Sequence, residues 1–295
     1  MSPAARANEI GTVEEGPLSA VLAALARDDP GGVVAALDGQ LHHGQPGSPA
    51  ALRQQVGERL ALALASSPSP TARQVACLLL VSRYPEDPVM VLRTAETLAE
   101  DPHWEVREAA GGLLGTLLDR DFDRIRGRLE TLRSSRSEDL RRAVVLAVKY
   151  AARRDKPERV PDLIQLIQPL MRDQEPYVRR NLGAYTLGDA LLRVDPKETL
   201  RALREWSKDR DQMVRWNVAM AFSSAIGSFH WPAAKSILER LAKGPEPLVR
   251  NAVAKAMRRC RQRYTEDVEE TRLRWLKDRD RSATAELMGP PKKRS

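Results

Sequence analysis

The apolar residues of this chain recur at alternating spacings of three and four, which is the pattern of amphipathic helices. In "EPYVRRNLGAYTLGDALLR", residues 175–193, Val178, Leu182 and Tyr185 fall on one face of a predicted helix. Asp189 falls on the same face, although a carboxylate is costly to bury without a partner. The pattern predicts an all-α protein, and Asp189 is the residue of this helix that needs an explanation.

Six segments share a second pattern: a hydrophobic residue, Arg, any residue, a small residue or Asn, and an apolar residue. They read "PTARQVACLLL", "PHWEVREAAGGLL", "SEDLRRAVVLAV", "EPYVRRNLGAYTL", "DQMVRWNVAMAF" and "EPLVRNAVAKAM". Their arginines are Arg73, Arg107, Arg141, Arg179, Arg215 and Arg250, spaced 34, 34, 38, 36 and 35 residues apart. A period of this size predicts a supersecondary unit that stacks on its neighbours.

Five further amphipathic segments lie between the segments that carry these arginines. They are "DPVMVLRTAETLAE", "DFDRIRGRLETLRS", "RVPDLIQLIQPLMRD", "KETLRALREWSKD" and "WPAAKSILERLAKG". Each repeat is therefore predicted to be a helical hairpin, made of one motif helix, which carries the repeated arginine, and one partner helix. The start of several motif helices is marked by an acidic residue and Pro, or by Ser and Asp.

This repeat resembles the HEAT-repeat family, whose second helix carries a Pro-x-x-Val-Arg-x-Ala-Ala signature, over residues 70–262. The resemblance implies a right-handed α-solenoid in which the motif helices line a concave surface. We expect residues 1–15 to be a flexible N-terminus and residues 16–69 to form capping helices. Residues 263–287 are expected to form a charged C-terminal helix, and residues 288–295 a flexible basic tail.

The net charge of +8 is unevenly distributed. Residues 1–100 carry 7 Lys and Arg against 11 Asp and Glu, whereas the rest of the chain carries 41 against 29. This asymmetry favours a face that binds a polyanion, and the alternative is that the arginines only solvate helices. Because no segment has the length and hydrophobicity of a bilayer span and no apolar signal segment is evident, we expect a cytoplasmic protein without membrane partners.

Asp189 departs from its position in the repeat. Ten residues beyond the motif arginines stand Arg83, Leu117, Ala151, Asp189, Ala225 and Cys260. In one interpretation Asp189 is structural, and it pairs with Arg193 or caps a neighbouring helix. In the other it faces the groove as a catalytic candidate, since a carboxylate stabilises the cationic sugar that forms when an N-glycosidic bond breaks.

Further polar and aromatic departures gather in the fourth and fifth repeats. Asn181 and Asn217 stand two residues beyond their motif arginines, where an Ala is typical of HEAT repeats, and Tyr185 is the one aromatic residue six positions beyond. One residue beyond the arginines stand Arg142, Arg180 and Trp216. An aromatic ring among arginines can stack on a sugar or base while the guanidinium groups hold phosphates. These six residues are the predicted nucleic-acid contacts, although the two asparagines are equally compatible with hydrogen bonds between repeats.

A narrower resemblance rests on the hairpins, the basic part of the chain and the segment "DPHWEVREAAGGLLGTLL". These features look like the bacterial HEAT-like DNA alkylation repair proteins, including the AlkD-type alkylpurine glycosylases. That resemblance implies a groove that grips duplex DNA by its phosphates, with Trp residues and an Asp beside the lesion sugar. The family's Trp-x-x-x-Asp pair is matched only in spacing, by Trp104 and Glu108, which makes Glu108 the second catalytic candidate. The alternative is that Trp104 packs onto the preceding hairpin.

Three function classes remain open: a DNA-binding solenoid of the alkylation repair type, a working glycosylase, and a protein-binding scaffold. The sequence has no glycine loop for phosphates and no His or Cys spacing for a metal, so we expect neither cofactor nor metal. The expected partner is duplex DNA, with a protein partner as the alternative, and we expect a monomer. The helix glycines Gly111, Gly112, Gly183 and Gly188 predict close helix packing.

Overall fold

The computed structural model describes residues 61–291, and every regular element in this range is a helix. Residues 61–65 are helical, and the following helices are α1 Pro70–Arg83, α2 Pro88–Ala99, α3 Trp104–Arg120, α4 Phe122–Leu132, α5 Glu138–Ala151, α6 Val160–Ile167, α7 Pro176–Asn181, α8 Leu192–Val194, α9 Pro196–Trp206, α10 Gln212–Ala221, α11 Trp231–Leu241, α12 Pro247–Arg261, α13 Thr265–Leu276 and α14 Ser282–Met288. A π-helix, Leu182–Leu191, joins α7 to α8, and 3₁₀ turns cover Pro157–Arg159, Gln168–Arg172 and Gly227–His230. The predicted N-terminus 1–15, residues 16–60 of the predicted capping segment 16–69, and residues 292–295 of the predicted tail 288–295 lie outside the described range.

The chain divides into two compact units, one that ends at Ala110 and one that begins at Gly111. In the second unit the motif helices pack on one another in chain order, α5 on α7, the π-helix on α10, and α10 on α12. The partner helices do the same, α4 on α6, α6 on α9, and α9 on α11. This two-layered stack of hairpins confirms the all-α solenoid of HEAT-like repeats that the arginine period predicts.

The helix starts follow from the sequence signals. Proline, which has no N–H to leave unsatisfied, occupies the first position of helices such as α1, α7 and α12. The side chains of Ser137 and Asp211 accept backbone N–H groups at the starts of α5 and α10. These prolines and caps mark where the motif helices begin, a few residues before each motif arginine.

The motif arginine connects neighbouring hairpins through hydrogen bonds and an ion pair. In α5, Arg141 donates through Nε to Asp173 Oδ2 at 2.6 Å and through Nη1 to the carbonyl oxygens of Ser135 and Arg136 at 2.9 and 3.0 Å. Arg73 repeats this geometry in the first unit, where its Nε lies 2.6 Å from Asp101 Oδ2. In these two repeats the arginine holds the loop before its own helix to an acidic residue of the next hairpin, and Arg215 likewise pairs with Glu246.

The ion pair with Arg73 lowers the pKa of Asp101. Burial alone would raise the pKa of Asp101, but hydrogen bonds from Arg73 and from the backbone N–H of His103 outweigh it and lower that pKa. The carboxylate therefore stays ionised at neutral pH and keeps its charge-assisted hydrogen bonds.

The C-terminal prediction requires a correction. One helix was predicted over residues 263–287, but the chain forms two, α13 and α14, which pack on each other and on α12. The break lies at residues 277–281, where Arg281 donates to the backbone carbonyl of Glu239. Folding back in this way lets Trp275 and Met288 bury their side chains against the last hairpins. No helix within residues 61–291 is both long enough and apolar enough to cross a membrane.

Candidate nucleic-acid interface

The motif helix of the fourth repeat changes its hydrogen-bond register. After α7 the chain continues as a π-helix over Leu182–Leu191. A π-helix pairs residue i with i+5, so it holds more residues per turn than the 3.6 of an α-helix. Its buried leucines accordingly recur at intervals of five and four, at Leu182, Leu187 and Leu191. Helices of this kind are rare and are frequently found at functional sites.

Thr186 and two glycines account for the change locally. The buried Thr186 Oγ1 donates to the carbonyl oxygen of Asn181 at 2.9 Å and also lies 3.3 Å from that of Val145, so a side chain enters the backbone ladder. At Gly183 a Cβ would lie 2.7 Å from Met220 Cβ, and at Gly188 it would overlap Ala221 and Ser224. The glycines therefore let the π-helix lie directly against α10, as the sequence predicts for Gly183 and Gly188.

The π-helix places Tyr185 at the surface. The sequence spacing places Tyr185 in the apolar stripe, in the same repeat position as Ala147 and Ala221, which are both fully buried. In the structure Tyr185 is 52% exposed. The α-helical spacing that places Tyr185 on one face with Val178 and Leu182 therefore does not hold here, because a π-helix has more residues per turn.

Asp189 also lies in the π-helix, and its partner is a backbone group. Its Oδ1 accepts the N–H of Ile226 at 3.0 Å, directly before the 3₁₀ turn Gly227–His230. Within residues 61–291 no ion pair joins Asp189 to Arg193. Of the two structural alternatives, the cap on a neighbouring element is the one that the structure contains.

The two predicted asparagines have different surroundings. Asn217 is fully buried and its Nδ2 donates at 3.1 Å to the carbonyl oxygens of Met171 and Met213, so it links α10 to the preceding repeat. Asn181 is half-buried and its Nδ2 lies 3.5 Å from the carbonyl oxygen of Tyr177, one turn earlier. Asn217 is thus enclosed by the stack, whereas Asn181 lies near its surface.

Cations and aromatic rings alternate along the motif helices of the second unit. The guanidinium of Arg142 lies 4.5 Å from the ring centroid of Tyr177, and Lys149 Nζ lies 4.5 Å from the ring of Tyr150 and 6.0 Å from that of Tyr185. These contacts join α5 to α7 and to the π-helix. Arg142 itself is only 6% exposed, so its guanidinium lies against the tyrosine ring within the stack and not in solvent.

The next contact involves the fourth motif arginine, which departs from the structural pattern of Arg141. Arg179 has no carboxylate partner among residues 61–291. Its Nη1 lies 3.0 Å from Met213 Sδ, and its guanidinium lies 5.3 Å from the ring centroid of Trp216, which is half-buried. Arg180, one residue further, is exposed and occupies the same repeat position as Trp216.

We call Lys149, Tyr150, Arg180, Tyr185 and Trp216 the motif face. Tyr150 is 43% exposed, and Lys149 bridges its ring to that of Tyr185. Arg180, Tyr185 and Trp216 are predicted contacts, whereas Lys149 and Tyr150 were missed. A signal for Tyr150 was present, because it is the one aromatic residue nine positions beyond a motif arginine.

Trp104 lies in the first unit and is 60% exposed, so most of its side chain is accessible to a ligand. It begins α3, and Glu108 follows one turn later and is half-buried. Residues four apart on a helix lie on one face. No group of His, Cys, Asp and Glu side chains within residues 61–291 is arranged to hold a metal ion.

Comparisons with known families agree with this architecture. A family model of HEAT repeats matches residues 165–258. The family model of the DNA alkylation repair enzyme matches residues 49–185. The chain therefore contains HEAT-like repeats, and part of it is similar to the DNA alkylation repair enzymes. The second match contains Trp104, Glu108, Arg180 and Tyr185, whereas Trp216 lies within the first match alone.

Solved structures with a similar course include YibA of Escherichia coli, at 17% sequence identity, covering 90% of this chain and 88% of that chain with a TM-score of 0.38. A designed armadillo repeat protein is similar at 16% identity, covering 71% of this chain and 99% of that chain with a TM-score of 0.29. A search of curated proteins finds no match.

Proposed function

We propose that this HEAT-repeat protein binds duplex DNA along the motif face. In this proposal Lys149 and Arg180 contact backbone phosphates, while Tyr185 and Trp216 pack on deoxyribose or base edges. Charge neutralisation supplies affinity that does not depend on sequence, and aromatic rings add contacts with the sugars and bases. Duplex DNA therefore suits a surface that carries both cationic and aromatic side chains.

The observation that carries the proposal is the exposure of Tyr185 beside Lys149. A tyrosine that is half exposed loses apolar burial, and here a rare π-helix holds it in that position. The residues at the same repeat position in the neighbouring repeats, Ala147 and Ala221, are buried, so the exposed ring of Tyr185 departs from the packing of its column. A ligand contact at the surface would account for an exposed aromatic ring at this position.

Two buried residues, Arg142 and Asn217, stabilise the helices that carry the motif face. Arg142 lies against the ring of Tyr177 and Asn217 ties α10 to the preceding repeat, so both hold the motif helices at fixed spacing. In the proposal these two residues act on DNA through the geometry of the face. Asn181, at the surface next to Arg180, contributes a side-chain amide that can reach a phosphate.

Hydroxyl-radical footprinting tests which surface DNA covers. We expect a blunt duplex to protect Tyr150, Tyr185 and Trp216 from oxidation. Phe122 is the internal control, because it lies on partner helix α4 between the guanidinium groups of Arg126 and Arg159. Equal protection of Phe122, or no protection of Tyr185, would place the DNA elsewhere or favour a protein-binding scaffold.

Base excision is a second proposal, and the exposure of Trp104 one turn before Glu108 favours it. An exposed indole can lie against a lesion sugar while a carboxylate stabilises developing positive charge. We expect Glu108→Gln to lower base release from an alkylated duplex by about 100-fold, and Glu108→Asp to retain part of it. If the unaltered protein binds the alkylated duplex and releases no base, the protein is a binding module without this activity.

A further inference from the structure

Outside the motif face, an exposed aromatic residue stacks on an arginine. Phe229 is 45% exposed, and the guanidinium carbon of Arg263 lies 3.6 Å from its ring centroid. The hydroxyl of Tyr264 donates to the carbonyl oxygen of Phe229 at 2.7 Å. Arg263 and Tyr264 come from the loop between α12 and α13, so two separate segments build this pair.

Two side chains hold the turn that carries Phe229. Asp189 Oδ1 accepts the N–H of Ile226, and Ser224 Oγ accepts that of Gly227 at 2.9 Å. At Gly227 a Cβ would lie 2.8 Å from the same Ser224 Oγ, so only glycine fits there without a shift. The exposed ring is therefore preorganised, which lowers the entropy lost when a ligand binds.

The chemistry of the pair fits a nucleotide. A guanidinium stacked on a ring uses its face and keeps its N–H groups in the plane, where they can donate to a phosphate. The exposed part of the Phe229 ring offers a surface on which a base can stack. Arg193, four residues after Asp189, is exposed and adds positive charge at this end of the π-helix.

We propose that Phe229 and Arg263 bind one unpaired nucleotide of a DNA strand, with the base on the ring and its phosphate on the guanidinium. This inference rests on the proposed DNA binding and adds a contact that a fully paired duplex cannot satisfy, because its bases remain stacked in the helix. Asp189 is then a positioning residue, which holds the turn but does not touch the nucleotide.

The experiment compares a blunt duplex with the same duplex carrying a single-stranded overhang, by fluorescence anisotropy at fixed salt. We expect the overhang to tighten binding by about tenfold, the effect of one base stacked on an aromatic ring. Phe229→Ala and Arg263→Ala should remove that gain and leave affinity for the blunt duplex unchanged. Leu273→Ala is the matched control, since Leu273 is 52% exposed on α13.

The outcomes separate this inference from the proposal beneath it. If the unaltered protein binds both probes equally, the nucleotide site is wrong and duplex binding stands. An equal loss for both probes in Phe229→Ala also overturns the site. Failure to bind either probe overturns duplex binding and the nucleotide site together.

Asp189 provides a further readout, because an amide oxygen can replace the carboxylate as acceptor for Ile226. We expect Asp189→Asn to keep the overhang gain and Asp189→Ala to lose it, with blunt-duplex affinity unchanged in both variants. Melting temperatures show whether each variant is folded. An overhang gain that persists in a folded Asp189→Ala variant would show that Asp189 does not position Phe229.

Discussion

A Lys149→Glu, Arg180→Glu double variant is expected to bind blunt duplex DNA at least about a hundredfold more weakly than the unaltered protein. A pair of unit charges at contact distance in water is worth about 1 kcal/mol, and each reversal replaces that attraction by a repulsion of similar size. The slope of log K against log salt should fall by about one for each phosphate contact that is lost. Anisotropy titrations at several salt concentrations measure both quantities.

The matched control reverses two exposed arginines on the partner helices, Arg124 on α4 and Arg204 on α9. The Arg124→Glu, Arg204→Glu variant has the same net charge as the first, so it isolates position from total charge. We expect it to lose much less affinity and to keep its salt slope. Equal losses in the two variants would mean that DNA responds to overall charge and not to the motif face.

Gly188→Ala is expected to lower the free energy of unfolding by about 3 kcal/mol, which corresponds to a fall in melting temperature on the order of 10 °C. A Cβ at this position would overlap the carbonyl oxygen of Ala221 and lie 2.5 Å from Ser224 Oγ. A backbone atom of α10 cannot rotate away, so the π-helix or α10 must shift. Differential scanning calorimetry gives the measurement.

Gly112→Ala is the control for the glycine prediction. Gly112 lies in the middle of α3, and a Cβ there would meet nothing within 4 Å. Because alanine favours a helix over glycine by about 1 kcal/mol, this change should stabilise the protein slightly. If Gly188→Ala behaves like Gly112→Ala, the π-helix does not depend on close contact with α10.

The hairpin stack could be predicted from the sequence because its signals are local and repeated. The motif arginines mark each helix, and Ser137 and Asp211 cap helices at the positions that their residue types favour. What the arginines do was not predictable, because the acid that pairs with Arg141 is Asp173 in the following hairpin. A partner that lies in another hairpin leaves no mark in the local pattern.

The π-helix could not be predicted because its register depends on contacts between helices. Val178, Leu182 and Tyr185 fit an α-helical spacing, and nothing in that spacing shows that Thr186 donates to Asn181 and Val145. The glycine prediction held at Gly183, Gly188 and Gly111, where a Cβ would clash with a neighbouring helix, but was wrong at Gly112. Sequence position alone does not reveal which glycines face a neighbour.

Asp189 illustrates the same division between local and tertiary information. The sequence shows that Asp189 differs from the residues at its repeat position, and it is compatible with an ion pair, a helix cap or a catalytic role. The structure contains the cap, on a turn 37 residues away that becomes adjacent only after the hairpins stack. A mutation that removes this acceptor therefore tests the turn around Phe229, and not the motif face.

Binding of the unaltered protein to a blunt duplex across a salt series is the decisive measurement for DNA binding. We expect a measurable affinity that falls steeply and linearly on a log–log plot, because each phosphate that a lysine or arginine neutralises releases counterions. An affinity that is absent at low salt, or one that does not change as salt rises, would contradict DNA binding by the motif face.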